Sequence, residues 1–132
     1  MKKTFLIIFF IFVSYNNFSQ EIIIKTGDTW SYFDNGYLNS NWMHKSDFKD
    51  WKTGISPLGY GDKKVLTNIS FGNNSNNKEI TKYFKKNITI NNHYLAYELR
   101  AQIDDGAVIY INGKELFRSN ISNSIINNPL CI

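Results

Sequence analysis

The fold class is decided by residues 93–118, which have the sequence HYLAYELRAQIDDGAVIYINGKELFR. Along His93–Ile103, apolar and polar side chains alternate. One face would carry the apolar residues Leu95, Tyr97, Leu99, Ala101 and Ile103. A strict period of two is typical of a β-strand that buries one of its faces. We therefore predict a strand over His93–Ile103.

A β-hairpin is predicted directly after this strand. Asp104-Asp105-Gly106 interrupts the pattern, and Ala107–Ile111 resumes it. Asn112-Gly113 is the strongest short signal for a two-residue turn, because both central residues of a type I′ turn take a positive φ. With Lys114–Arg118 as the return strand, the loop length fixes the register. The expected pairs are Ile111–Lys114, Ile109–Leu116 and Val108–Phe117. Since both faces carry apolar side chains, we expect this hairpin inside a larger sheet.

The rest of the chain points to the same class. Further β-prone runs occur at Glu21–Lys25, Thr29–Phe33, Ile80–Phe84 and Asn87–Ile90, and Gly72–Lys78 is a polar loop. Many short strands between polar turns, with almost no helical periodicity, predict an all-β sandwich. The long irregular stretch between Asp34 and Asp62 is expected to be functional or to cover one end of the sandwich.

The first nineteen residues have the layout of a secretory signal peptide. Lys2 and Lys3 precede nine apolar residues, Phe5–Val13, and a polar stretch follows. Nine residues are too few to span a bilayer, which takes about 20. We expect cleavage near Ser19 and a β-sandwich module over residues 20–132. The module would then be secreted or held at the cell surface, with no transmembrane segment after cleavage.

Charge and cysteine content exclude several classes of protein. The net charge is +4, and loss of Lys2 and Lys3 would lower it to +2. The lysines are scattered singly or in pairs, whereas a nucleic-acid surface needs a denser basic stripe. No nucleic-acid partner is therefore expected. A single cysteine, Cys131, excludes an internal disulfide framework.

An ordered series of short motifs runs through the chain. The motifs are Trp30-x-Tyr32, Asp47-Phe48-x-x-Trp51-x-x-Gly54, Pro57-Leu58-Gly59-Tyr60-Gly61-Asp62, Ile80-Thr81-x-Tyr83-Phe84 and Asp104-Asp105-Gly106-Ala107-Val108-x-Tyr110-x-Asn112-Gly113. Over residues 27–121, this series resembles the galactose-binding-like jelly-roll module of secreted bacterial proteins. Such modules accompany metallophosphoesterases, spore-coat-protein-H-like proteins and lamin-tail domains.

The resemblance implies a jelly-roll β-sandwich within a larger extracellular protein. The family pattern continues through a further strand and a segment of the type Gly-x-Asn-x-Ile-Ala-Val-Glu. The sequence from Ser119 to Ile132 does not contain this segment. We therefore expect a module that is incomplete at its C-terminus and lacks its last strands.

Three aromatic residues of the irregular stretch are candidates for ligand binding. Trp42, Trp51 and Tyr60 could form a flat platform for a sugar ring, since aromatic faces suit amphipathic ligands. They could equally plug the end of the sandwich, because Trp and Tyr bury large areas in small domains. The structural interpretation is favoured for Trp51, and both interpretations stay open for Trp42 and Tyr60.

Asp104 and Asp105 are a second candidate site. Carboxylates beside a glycine turn could hold calcium or sugar hydroxyls. Asp and Gly are also the residues that turns prefer, and we favour that interpretation, so no cofactor is expected. His44 and His93 have no Cys or Glu at ligand spacing, which argues against zinc.

The sequence contains no complete catalytic pattern. It has no HExxH, no Gly-x-Ser-x-Gly and no phosphate-binding loop. We predict an exported, non-catalytic module that binds carbohydrate or the cell surface, or that packs against an adjacent domain of a larger protein. The alternatives are the leading domain of a secreted hydrolase such as a metallophosphoesterase, and a purely structural spacer.

Overall fold

The computed structural model describes residues 20–44 and 49–122. Residues 1–19, Asp47-Phe48 and Cys131 lie outside these ranges, so the predictions made for them rest on sequence alone. The described residues are mostly strands and loops with one short 3₁₀-helix, which confirms the all-β class. The elements are β1 Thr29–Phe33, the 3₁₀-helix Ser40–His44, β2 Lys52–Ile55, β3 Leu58–Gly59, β4 Thr67–Asn68, β5 Tyr83–Lys85, β6 Ala107–Ile111 and β7 Lys114–Ser119.

The largest sheet has three strands in the order β2-β1-β5, all antiparallel. β1 has the predicted bounds and pairs Trp30 with Gly54 and Tyr32 with Phe84. As the central strand it places Tyr32 in the interior, where the residue is 7% exposed. β5 lies at Tyr83–Lys85, shifted toward the C-terminus from the predicted run at Ile80–Phe84.

The irregular stretch between Asp34 and Asp62 contains more regular structure than the sequence indicates. It holds β2, the 3₁₀-helix and the short strand β3. β3 pairs in parallel with β4. Thr67 of β4 joins this pair to β2, because its hydroxyl accepts from the N–H of Ile55 at 2.8 Å and donates to the carbonyl of Ile55 at 2.9 Å. The approach requires Gly54, where a Cβ would lie 2.5 Å from Thr67 Cγ2.

The predicted hairpin forms, with its turn as expected and part of its register changed. Asn112 and Gly113 take φ values of 50° and 76°, as a type I′ turn requires. Ile111 pairs with Lys114 as predicted. A register irregularity between Ile109 and Tyr110 then shifts the ladder by one residue, as a β-bulge does. The predicted pairs Ile109–Leu116 and Val108–Phe117 are therefore wrong, and the observed pairs are Ile109–Phe117 and Val108–Arg118.

The position of the hairpin also differs from the prediction. Among the described residues, β6 and β7 form a two-stranded sheet of their own rather than part of a larger sheet. Ile111, Leu116 and Phe117 are 55%, 55% and 45% exposed. Apolar residues on both faces of a hairpin therefore did not indicate an interior position here.

The strand predicted over His93–Ile103 is wrong for this structure. These residues belong to none of the three sheets that the described chain forms. Leu95, the first residue of the predicted apolar face, is 91% exposed. Alternation specifies which side chains share a face, but a strand also needs a backbone partner, which the described residues do not supply. The runs at Glu21–Lys25 and Asn87–Ile90 likewise form no strand.

An aromatic cluster joins the three-stranded sheet to the hairpin. Trp42 of the 3₁₀-helix stacks on Trp51 at 5.9 Å between ring centroids and meets Tyr83 of β5 edge-on at 5.2 Å. The same indole reaches Tyr110 of β6 at 6.4 Å. Beside it, the ring of His44 fills the space where a Cβ at Gly113 would lie. The helix thus acts as a bridge between the two sheets.

Candidate functional site

Asp34 is a buried charged residue that directly follows β1. Its side chain is 3% exposed. Lys52 of β2 donates from Nζ to Oδ1 at 2.7 Å, and the backbone N–H of Ser70 donates to Oδ2 at 2.7 Å. The ammonium of Lys82 donates to the Asp34 carbonyl at 2.7 Å. Asp34 therefore ties the end of β1 to β2 and to the segments around Ser70 and Lys82.

The partners of Asp34 set its charge. Burial raises the pKa of its carboxyl, but hydrogen bonds from Lys52 and from the N–H of Ser70 outweigh burial and hold this pKa below its ordinary value. The hydrogen bond to Asp34 in turn raises the pKa of Lys52. At neutral pH the pair is therefore ionised, with a buried anion and a cation that is 54% exposed.

An open pocket of about 460 Å³ lies over this ion pair. Most of the residues around it carry amide, hydroxyl, carboxylate or ammonium groups. The lining consists of Phe33, Asp34, Asn35, Asp50, Lys52, Ser70 and Asn73. Such a surface offers both donors and acceptors for hydrogen bonds, which a ligand rich in hydroxyl groups would use.

A pair of exposed aromatic rings includes Phe71, a sequence neighbour of two pocket residues, Ser70 and Asn73. Tyr60 and Phe71 meet edge-on at 5.7 Å between ring centroids, and they are 37% and 36% exposed. Nζ of Lys78 lies 5.2 Å from the Tyr60 centroid and 5.8 Å from that of Phe71, within cation–π range. We call Tyr60, Phe71 and Lys78 the Tyr60 patch. The segment 70–73 contributes Phe71 to the patch and Ser70 and Asn73 to the pocket.

The structure gives different surroundings to Trp42 and Tyr60, the two aromatic candidates for which both interpretations stayed open. Trp42 is half-buried, and its ring contacts Trp51, Tyr83 and Tyr110 in the cluster that joins the sheets. Tyr60 is exposed and contacts Phe71 and Lys78. Trp42 therefore lies in the packing between the two sheets, whereas Tyr60 lies at the surface.

Asp104 and Asp105 are both exposed in the turn that leads into β6. Asp105 has a φ of 66°, and its backbone carbonyl accepts a hydrogen bond from Nδ2 of Asn120 at 2.7 Å. Asp105 thus takes a left-handed turn conformation, which Asp tolerates better than most residues. Across residues 20–44 and 49–122, no three His, Cys, Asp or Glu side chains lie close enough together to hold a metal ion.

Sequence reasoning missed most of this site. Among the residues of the patch and the pocket, the sequence indicates Tyr60 as a candidate for ligand binding. It does not indicate Asp34, Phe71 or Lys78. Phe71 carries a usable signal, because it is an isolated aromatic residue immediately before the polar loop Gly72–Lys78. Its pairing with Tyr60, eleven residues earlier, depends on how the intervening β4 is placed and has no local signal.

The chain matches no protein-family model, no curated protein and no solved structure in the three comparisons made. The assignment of a role to this site therefore depends on its own geometry. In the part of the chain that the structure describes, every helix is too short to cross a membrane.

Proposed function

We propose that this chain is an exported, non-catalytic module that binds carbohydrate through the Tyr60 patch and the adjoining pocket. The observation that carries the proposal is the pair of exposed rings, Tyr60 and Phe71, together with a polar pocket to which the same segment, residues 70–73, contributes Ser70 and Asn73. A sugar ring has apolar C–H faces and a rim of hydroxyl groups. Aromatic rings complement the faces, and amide, carboxylate and ammonium groups complement the rim.

The chemistry of the patch suits a polysaccharide at a surface more than a small enclosed ligand. The pocket is open, and Lys78, Asn73 and both rings are accessible from solvent. An enclosed ligand is usually surrounded over most of its area by apolar groups. An open polar site with two rings instead matches a chain of sugars that extends beyond the protein on both sides.

The proposed architecture is the jelly-roll β-sandwich of galactose-binding-like modules. Its support is the motif series in the sequence together with the observed all-β class. In such a protein the module would serve as an accessory domain that holds a larger secreted or surface protein on its polysaccharide. No cofactor is part of this proposal.

Export is the part of the proposal that the N-terminal sequence supports. When the full chain is expressed in a bacterium, we expect the exported product to lack residues 1–19. The reason is that two lysines, an apolar run and a polar stretch follow one another in the order that is typical of a signal peptide. Intact-mass measurement of the extracellular or periplasmic fraction tests this expectation. Recovery of only the full-length mass, within the cells, would contradict it.

Carbohydrate binding is tested by affinity electrophoresis of the full chain on a panel of polysaccharides. We expect retardation on at least one polysaccharide. Tyr60→Ala and Phe71→Ala should each lose about tenfold or more in affinity, on the scale set by a nucleic-acid base stacked on one aromatic ring, which contributes about 1 to 3 kcal/mol. Tyr37→Ala is the matched control, because Tyr37 is 49% exposed and lies outside the patch. Unchanged mobility on every polysaccharide would overturn the proposal.

A further inference from the structure

The segment Leu95–Ile103 has the side-chain pattern of a strand and no partner strand among the described residues. Leu95, Tyr97 and Leu99 are 91%, 64% and 52% exposed. The backbone of the segment belongs to none of the sheets formed by residues 20–44 and 49–122. A row of unpaired backbone groups beside exposed apolar side chains is a template for pairing with another strand.

We propose that this segment pairs with the same segment of a second copy of the chain, antiparallel and centred on Leu99. The pairing forms a homodimer about a two-fold axis through the two Leu99 residues. In this register the alternating apolar side chains of both copies share one face of the ribbon, because opposed residues in a ladder point the same way. These side chains are Leu95, Tyr97, Leu99, Ala101 and Ile103. The apolar pairs across the ribbon are Leu95–Ile103, Tyr97–Ala101 and Leu99–Leu99.

The charges of the segment select this register. Centred on Leu99, the pairing sets Glu98 of each copy opposite Arg100 of the other. Centring on Glu98 would oppose the two Glu98 carboxylates, and centring on Arg100 would oppose the two guanidinium groups. A parallel, in-register pairing would align like charges at both positions. Opposite charges directly across a ladder stabilise it and like charges destabilise it, so only the Leu99 register uses both residues favourably.

The geometry within one copy already places these two charges together. Nε of Arg100 donates to Oε1 of Glu98 at 2.7 Å, and Nη2 donates to Oε2 at 3.1 Å. Residues i and i+2 share a face in an extended chain, so this bidentate pair fits strand geometry. In the dimer, two such pairs form a square in which each charge has opposite charges as its neighbours. Arg100 and Glu98 are 82% and 55% exposed, which leaves both accessible to a second copy.

Charge reversal tests the dimer on the full chain. We expect sedimentation or light scattering to give a concentration-dependent doubling of mass. Glu98→Arg and Arg100→Glu should each weaken dimerisation by about tenfold or more, because each variant opposes like charges at two positions. An equimolar mixture of the two variants should dimerise again, because every opposed pair is then Arg with Glu. Lys63→Glu, a charge reversal at an exposed site outside the segment, is the matched control.

Cysteine cross-linking tests the register. In a Cys131→Ser background, Leu99→Cys should form a disulfide-linked dimer under mild oxidation, because its own copy lies directly opposite. Ala96→Cys should not, because in this register the two copies of residue 96 are about 20 Å apart. A monomeric mass at every concentration would overturn the proposal, and so would a mixture of charge variants that fails to restore the dimer. Equal cross-linking at positions 96 and 99 would overturn the register.

Discussion

At the scale of single residues, Asp34 shows how one buried charge can organise several loops. Its carboxylate accepts from Lys52 and from the N–H of Ser70, while its carbonyl accepts from Lys82. A buried carboxylate is costly unless each oxygen has a donor, and here both do. The residue therefore fixes the shape of the pocket whose wall it forms.

The buried Asp34 carboxylate should also make the free energy of unfolding depend on pH. The pKa of the Asp34 carboxyl is held below its ordinary value by its hydrogen bonds to Lys52 and Ser70. Its contribution to stability is therefore present in full above the ordinary, unfolded-state pKa and is lost as the pH falls through the lower, folded-state pKa. We expect Asp34→Asn to lower the free energy of unfolding by about 2 kcal/mol at neutral pH, since hydrogen bonds to a charged group are lost. Urea unfolding between pH 7 and pH 2 measures both effects.

Asp34→Asn also serves as the control for the effect of acid on the other carboxylates. Glu98 and Glu115 have lowered pKa values through their arginine partners, so the parent chain would lose some stability in acid without Asp34. The difference between the parent and Asp34→Asn isolates the contribution of Asp34, and this difference should shrink as the pH falls below the ordinary pKa. A difference that stays constant down to pH 2 would contradict the account.

At the scale of elements, the 3₁₀-helix Ser40–His44 explains how two small sheets hold together. Trp42 contacts Trp51 and Tyr83 on the side of the three-stranded sheet and Tyr110 on the side of the hairpin. Lys85 of β5 adds a hydrogen bond from Nζ to the carbonyl of Met43 at 3.4 Å. Since β6 and β7 form a two-stranded sheet of their own, this helix is an important support for the hairpin.

Removal of the Trp42 side chain should therefore act on stability rather than on binding. We expect Trp42→Ala to lower the free energy of unfolding by about 2 kcal/mol, less than for a fully buried Trp because the ring is only half-buried. The folded fraction should keep its retardation on polysaccharide. Urea unfolding and affinity electrophoresis of the same preparation measure the two properties. Lost retardation with unchanged stability would instead make Trp42 a binding residue.

Short stretches of sequence predicted correctly the strand β1 and the turn Asn112-Gly113, whose conformations depend on neighbouring residues alone. β1 was predicted with its observed bounds, and Asn112-Gly113 predicted the turn because positive φ is a property of those residues. The strand predicted over His93–Ile103 is wrong because a period of two says nothing about whether a partner strand exists. Within the site, Tyr60 could be proposed from its motif, whereas its neighbours Phe71 and Lys78 depend on how distant segments fold together.

At the scale of the whole molecule, the described residues bury little apolar surface. Among the apolar side chains in the ranges described, only Tyr32 and Ile69 are buried, and many large ones are exposed. Exposed apolar surface on this scale usually marks an interaction site. Two surfaces of this kind have assigned partners in our account. The Tyr60 patch would bind a polysaccharide, and Leu95–Ile103 would pair with a second copy.

Polysaccharide binding and dimerisation do not exclude each other, and they can be tested separately. Tyr60 and Phe71 lie outside the paired segment, so substitutions at the patch should leave the mass of the dimer unchanged. Two copies on one polysaccharide would also bind more tightly than one, because the second contact forms at a high effective concentration. Carbohydrate binding is the role that we propose for the Tyr60 patch and the polar pocket.

The most direct measurement is the affinity of the full chain for polysaccharides, with Tyr60→Ala and Tyr37→Ala run beside the parent in the same affinity gels. We expect the parent and Tyr37→Ala to be retarded equally by at least one polysaccharide, and Tyr60→Ala to be retarded clearly less, with an affinity that is lower by about tenfold or more. Equal retardation of all three chains, or of none, would contradict this expectation.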